Sequence, residues 1–208
     1  MRLSLTIFVV LSLSVFLVNP RINTVSAQEG IVRAKIGIQI RSGDSIIRAK
    51  SQDDLNADDL LRIYVRPEKT SYVYIIHSDL STATLLNMDQ QKIQNSTLVM
   101  PSLQEFYRVD GKSSEEIFTI IITDNSLNEV METLRNGKTT YEKWIEVEES
   151  LLERSKFDLS QEVEKPFSIA GNVRGGFVVS NIDPFAKELP IFSGKSILVK
   201  RYEFRVKK

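Results

Sequence analysis

The 208-residue chain carries 27 basic and 27 acidic side chains, one His and no Cys. Without Cys it has no disulfide, no thiolate metal site and no Cys nucleophile. Its balanced charge gives no electrostatic case for nucleic acid or anionic lipid as a partner.

Residues 1–27 have the layout of a secretory signal peptide. Arg2 supplies a positive charge, Leu3 to Val18 is uncharged and mostly apolar, and Asn19-Pro20 leads to the small-residue site Val25-Ser26-Ala27, so cleavage is expected before Gln28. An uncleaved anchor helix is the alternative, disfavoured because the apolar run is short for a bilayer that needs roughly 20 residues. Cleavage leaves 181 residues (208 less 27) with 25 basic and 27 acidic side chains, a net charge of −2. A single domain over 28–208 is expected, with no stable membrane span after cleavage. A chain of this size buries about 70% of its unfolded surface, so its own core must stabilise it.

Along the mature chain, Ile36, Ile38 and Ile40 alternate with polar or small residues, which predicts a strand. Ser42-Gly43-Asp44 is a turn signal, and Ser45 to Ala49 returns as a second short strand. Gln52 to Asp59 holds four Asp but lacks the alternate ligands, Gly and distal Glu of an EF-type calcium loop, so it reads as a solvated loop.

From Asp59 to Asp79 the run DLLRIYVRPEKTSYVYIIHSD reads as a hairpin. Leu61, Ile63 and Val65 alternate with Arg62, Tyr64 and Arg66; Pro67 to Ser71 interrupts; Tyr72 to His77 resumes with β-branched and aromatic residues. Thr82 to Leu86 is a further strand, Asn87 to Thr97 a polar loop, and Glu105 to Val109 with Glu116 to Thr123 a second candidate hairpin. The almost continuously apolar Ile117 to Ile122 belongs in the centre of the core, covered on both faces.

The period then changes. Ser126 and Glu129 have capping-box spacing ahead of Leu127, Val130, Met131 and Leu134, and Gly137 ends this short helix. Thr139 with Glu142 repeats the cap spacing before a second helix to about Lys156, with Trp144, Val147 and Leu151 on one face and Glu on the other. Phe177 to Val179 and Ile197 to Val206 return to the strand pattern. The expected fold is mainly β, an antiparallel sandwich (Ig-like or open barrel) with a small two-helix addition near residues 126–156. The alternative is an α+β sheet with both helices on one face.

The run LRIYVRPEKTSYVYIIHSD, followed by TLL and then IFTIIIT, resembles the bacterial domain-of-unknown-function family 4384, over roughly residues 57–130. The tail IAGNVRGG, then SGKSILVKRYEFRVKK, is similar to the ending of secreted members. The resemblance implies an exported all-β accessory or recognition module, found alone or appended to caspase-like peptidases. The family has no established catalytic residues to carry over.

His77 is the only His, at the end of a predicted strand and followed by Ser78 and Asp79. Neighbours on a strand point to opposite faces, so these three do not form a triad; His77 reads as a half-buried, hydrogen-bonded His. One His without Cys is a poor basis for zinc, and no metal or cofactor is expected. Gly171-Asn172-Val173-Arg174-Gly175-Gly176 and Ser193-Gly194-Lys195-Ser196 lack the full phosphate-loop pattern and its helix, so both read as turns. Glu146, Glu148, Glu149 and Glu153 read as a solvated helix face. Tyr72 and Tyr74 share a strand face, with Tyr64 across from them if the hairpin is regular. That row either completes a core or forms a ligand platform, the core reading being favoured.

No catalytic residue is assigned. The expectation is an exported bacterial protein, periplasmic or extracellular, that binds another envelope protein or an extended ligand, with Tyr64, Tyr72, Tyr74 and His77 as candidate ligand-binding residues. The alternative is a hydrolase whose dispersed site includes His77.

Overall fold

The computed structural model describes residues 30–89, 91–94, 96–156 and 183–207. The signal-like segment 1–27, the glycine-rich run Gly171–Gly176 and the strand expected at Phe177–Val179 lie outside the described residues. Two sheets face one another as a sandwich, with no closed barrel. The first contains β1 (Ile31–Ser42), β2 (Ser45–Arg48), β4 (Leu60–Pro67), β8 (Leu98–Met100), β9 (Tyr107–Arg108) and β12 (Ile191–Lys195), in the order β12-β1-β4-β8, with β2 also on β1 and β9 also on β4. The second contains β3 (Gln52–Asn56), β5 (Ser71–Ser78), β6 (Thr82–Leu85), β7 (Lys92–Ile93), β10 (Glu115–Thr123), β11 (Lys138–Thr140) and β13 (Ile197–Lys207), in the order β11-β6-β5-β10-β13-β3, with β7 also on β5.

The inward-facing apolar residues of both sheets meet in one core, including Ile36, Ile38, Ile63, Val65, Val73, Ile75, Ile120 and Ile122. The opposite face of the second sheet is covered by α1 (Asn128–Thr133) and α2 (Tyr141–Ser155) through Tyr74, Ile76, Ile121, Trp144 and Leu151. As expected, β10 is central, flanked by β5 and β13 and buried on both faces. Both helices cover one face of one sheet, the arrangement that the α+β alternative had in view.

The stretch read as a hairpin is an arch. β4 pairs with β1, β8 and β9, whereas β5 pairs with β10, β6 and β7, so the turn between them carries the chain from one sheet to the other. Alternation identifies a strand and its faces but says nothing of which backbone it bonds. The crossing is held by the Glu68 N–H on the Arg33 carbonyl (3.0 Å) and by Lys69 on Asp124 (2.6 Å). The second expected hairpin also crosses, since β9 pairs with β4 and β10 lies in the other sheet.

Gln52 to Asn56 is not a solvated loop but a strand, parallel to β13 at the sheet edge and anchored by the fully buried Leu55. Its acidic neighbourhood is already paired: Asp53 accepts from Lys50 N–H, Asp54 meets Lys207 at 2.9 Å, Asp58 meets Arg108 at 3.6 Å and Asp59 accepts from Asn56 N–H. In the expected loop after Asn87, β7 forms a short bridge, and Asn87 stands in for a missing strand neighbour. Its Oδ1 accepts from Ile75 N–H (2.9 Å) and its Nδ2 donates to the Val73 carbonyl (2.8 Å).

Neither expected capping box forms. The N-caps are Leu127 and Thr140, without side-chain bonds; Tyr74 Oη accepts from Leu127 N–H (3.0 Å), and Ser126 Oγ lies 3.3 Å from that hydroxyl. Gly137, with φ +76°, ends the α1 region as expected. A third helix, α3 (Pro184–Lys187), is capped by Asp183 and lies on the outer face of the first sheet with Tyr64, Ala186 and Leu189. Asp before Pro is a readable helix start. Ser193 to Lys195 is not a turn but part of β12; the bend falls on Ser196, with φ +53°.

Candidate functional site

A cleft of about 330 Å³ opens at one end of the sandwich, floored by Leu61, Leu86, Val109 and Phe118 and bordered by His77, Glu116, Asp79, Asp110, Lys112 and Ser113. The register of β5 with β10 builds it. Phe118 lies directly opposite His77, with ring centroids 5.0 Å apart, and Glu116, two residues earlier on β10, faces the same side. The imidazole Nε2 of His77 and the Glu116 carboxylate share a hydrogen bond. Glu116 is buried and His77 part-exposed, so the carboxylate orients the ring from the protein side. A carboxylate on one ring nitrogen selects the tautomer at the other.

The rim is held by its own hydrogen bonds. Burial acts to raise the pKa of Asp79, but the N–H groups of Thr82 and Ser81 and the Thr82 hydroxyl on Oδ1 outweigh it and hold the carboxyl below its ordinary range. The hydrogen bond from Lys112 likewise keeps exposed Asp110 low, and Asp110 raises Lys112 in return. Burial pushes the Tyr107 phenol up to about 12.

Ser113 is the hydroxyl nearest to a nucleophile in character, but its Oγ lies 2.6 Å from the Glu115 carbonyl and 3.1 Å from the Asp79 carbonyl, and accepts from Glu115 N–H. Its one proton is committed to backbone. The cleft therefore offers an oriented imidazole, carboxylates and an apolar floor: a set that can bind polar groups and exchange a proton. Among the described residues, no three His, Asp or Glu side chains gather as a metal-binding group.

Of the four residues proposed from sequence, only His77 lines this cleft. Tyr72 and Tyr74 share a face as expected, the outer face of the second sheet under the helices, with Tyr74 fully buried and Tyr72 part-buried. Tyr64 is not across from them. It is fully buried on the outer face of the first sheet, because β4 and β5 lie in different layers. The three tyrosines therefore form no common platform. Ser78 is buried and bends away from the His77 face, as strand alternation requires.

Tyr64 has a structural task. Its hydroxyl donates a hydrogen bond to Asp183, receives one from Arg62 (3.3 Å), and lies 3.4 Å from Gln39 Oε1; its ring meets Phe185 at 5.0 Å. Burial raises its pKa to about 12. Arg62, itself buried, also stacks on Phe106 at 3.7 Å, with Arg41 over the same ring at 4.8 Å. Tyr64→Phe is expected to cost about 1–2 kcal/mol in urea unfolding, because Asp183 loses a donor and Arg62 an acceptor in a buried setting. Unchanged unfolding would mean that the hydroxyl does not hold α3 in place.

Sequence reading missed two residues of consequence. Glu116 carries no signal of its own, since its value comes from lying diagonal to His77 across the β5–β10 register. Glu148, read as part of a solvated face, is fully buried: Thr119 Oγ1 donates to it, and Arg201 lies 3.2 Å from Oε2 with poor hydrogen-bond alignment. Its position four residues after Trp144 and three before Leu151 places it on their stripe, a signal present in the sequence. No helix among the described residues is long and apolar enough to cross a membrane. Compared with known proteins, the chain matches no protein family, no curated protein and no solved structure.

Proposed function

We propose that this is an exported, non-enzymatic binding module of the bacterial cell envelope, periplasmic or extracellular, which takes another envelope protein or an extended ligand at the cleft around His77. The observation that carries the reading is the cleft's chemistry. It has polar groups at the rim and an apolar floor, the mixture that ligand sites use for orientation and affinity, while its one candidate nucleophile, Ser113, is tied to backbone. The signal-like residues 1–27 and the resemblance to family 4384 support export and an accessory role.

The test is photo-crosslinking in the native envelope from an unnatural side chain at Lys112, on the cleft rim, against one at exposed Arg135. Selective capture of one species from position 112, diminished by Glu116→Gln, is the expected outcome. Equal capture from both positions would count against the cleft.

A second reading is favoured by the His77–Glu116 pair, since a carboxylate-oriented imidazole in a cleft is the usual form of a general base. In this hydrolase reading water is the nucleophile. A panel of peptide, ester and glycosidic substrates decides. Turnover abolished by His77→Ala, at unchanged melting temperature, would replace the binding reading; no turnover by the unaltered protein leaves binding as the activity.

A further inference from the structure

Among the described residues, strand β2 leaves one edge of the first sheet open. Its one strand partner among the described residues is β1, all four of its residues are exposed, and Ile46 and Ile47 are 57% and 51% accessible. Edge strands are ordinarily blunted by an inward charge, a proline or a covering segment. Here two adjacent isoleucines stand on the edge.

The hydrogen-bond phase of this edge follows from its pairing. In the β1–β2 register Ile40 faces Ile47 and Arg41 faces Ile46, and the Ala49 N–H donates to the Ile38 carbonyl at 2.8 Å. Odd-numbered residues therefore turn their backbone groups toward β1. By antiparallel alternation, the N–H and C=O of Ile46 and Arg48 point outward, unpaired within the sheet.

We propose that a second copy of this chain covers the edge, β2 pairing antiparallel with its counterpart about a two-fold axis at Ile46. Only registers that set even-numbered residues opposite one another satisfy the outward groups. The one with Ile46 on the axis brings Ile46 against Ile46 of the second copy and sets Asp44 opposite Arg48 of the second copy, twice by symmetry. Shifting by two residues either way puts Ile46 against an arginine or an aspartate instead. Asp44 has no partner among the described residues. Arg48 meets exposed Glu188 at 3.7 Å and lies over the Phe185 ring at 5.8 Å, contacts that leave its guanidinium donors to spare. Charge complementarity, apolar contact and backbone phase thus agree on one register. The joined edges would make one continuous sheet across both copies. The contact is small, so association is weak and salt-sensitive.

The chain has no native cysteine, which makes introduced ones unambiguous. Ile46→Cys lies on the axis with Cα atoms about 5.5 Å apart, inside the disulfide range, and is expected to give a covalent dimer on mild oxidation. Lys50→Cys, about 27 Å from its mate at roughly 3.4 Å per residue, is the control and stays monomeric. In sedimentation at graded concentration, Asp44→Arg and Arg48→Asp each weaken association about tenfold, since each change acts twice, and the double variant restores it. Crosslinking of Ile46→Cys no faster than Lys50→Cys, or a double variant as weak as the single ones, overturns the proposal. Because Asp44 in the turn, Ile46 and Arg48 on β2 and Lys50 just beyond it are all exposed, unchanged thermal melting accompanies either result.

Discussion

Replacing Arg201 with methionine is expected to lower stability by about 3–5 kcal/mol in urea unfolding, because it strands the Glu148 carboxylate between α2 and the second sheet without its cation. Glu148 is wholly buried and Arg201 part-buried, with side chains 0% and 22% exposed, so solvent reaches the pair from the arginine side alone. The double variant Glu148→Leu with Arg201→Met is expected to recover most of the loss, since an apolar pair of similar size needs no desolvation of charge. The pH dependence carries the same signature. Burial raises the folded-state pKa of Glu148 above its unfolded value, against the opposing pull of Thr119 and Arg201. The folded state then takes the proton first as pH falls. Its penalty is present above the raised pKa and relieved on acidification toward the ordinary carboxylate range. The Arg201→Met deficit should therefore shrink as pH falls from neutral toward the ordinary carboxylate range, and Glu148→Gln should abolish that trend. A deficit constant across the window would mean that Arg201 contributes packing alone.

Gly194→Ala is expected to cost about 3 kcal/mol, the upper end for overpacking a filled site. A methyl group there would lie 2.1 Å from the Ile197 carbonyl oxygen and 2.7 Å from Leu198 Cα, both backbone atoms that cannot rotate aside. β12 ends and β13 begins at this crossing between sheets, and Ile197 and Leu198 are both buried. The Ser-Gly-Lys-Ser run therefore needs its glycine for close packing of chain on chain. For a domain of this size the loss corresponds to a melting shift of roughly 6–12 °C. Gly37→Ala is the comparison: its added methyl meets the Leu189 side chain at 2.5 Å, which can turn, so the shift should be smaller. Equal melting of the Gly194 variant and the unaltered protein would show that the crossing has slack.

Periodicity placed β1, β2, β5, β6, β10, β13 and both longer helices close to where they form, because side-chain faces are a local property of the backbone. It read Asp53 and Asp54 as loop because polar side chains on an edge strand look like loop residues. Only Leu55, buried against β13, marks the strand. The candidate site was legible to the extent that a lone His at a strand end draws attention. Glu116 was not, because it joins His77 only through pairing between segments 39 residues apart.

Residue order along the chain was enough to decide which segments extend, which coil into helices and which side of each is apolar, since steric and hydrophobic preferences act within a few residues. Which strands exchange backbone bonds was decided only in three dimensions. β4 and β5 are both buried on two faces, so their alternation fits a hairpin and an arch equally well, and the choice fell to the neighbours each could find. The same choice put Tyr64 and Tyr74 on the outer faces of different sheets and brought His77 to Glu116 at the mouth between the sheets, while packing of α2 on the second sheet buried its own Glu148.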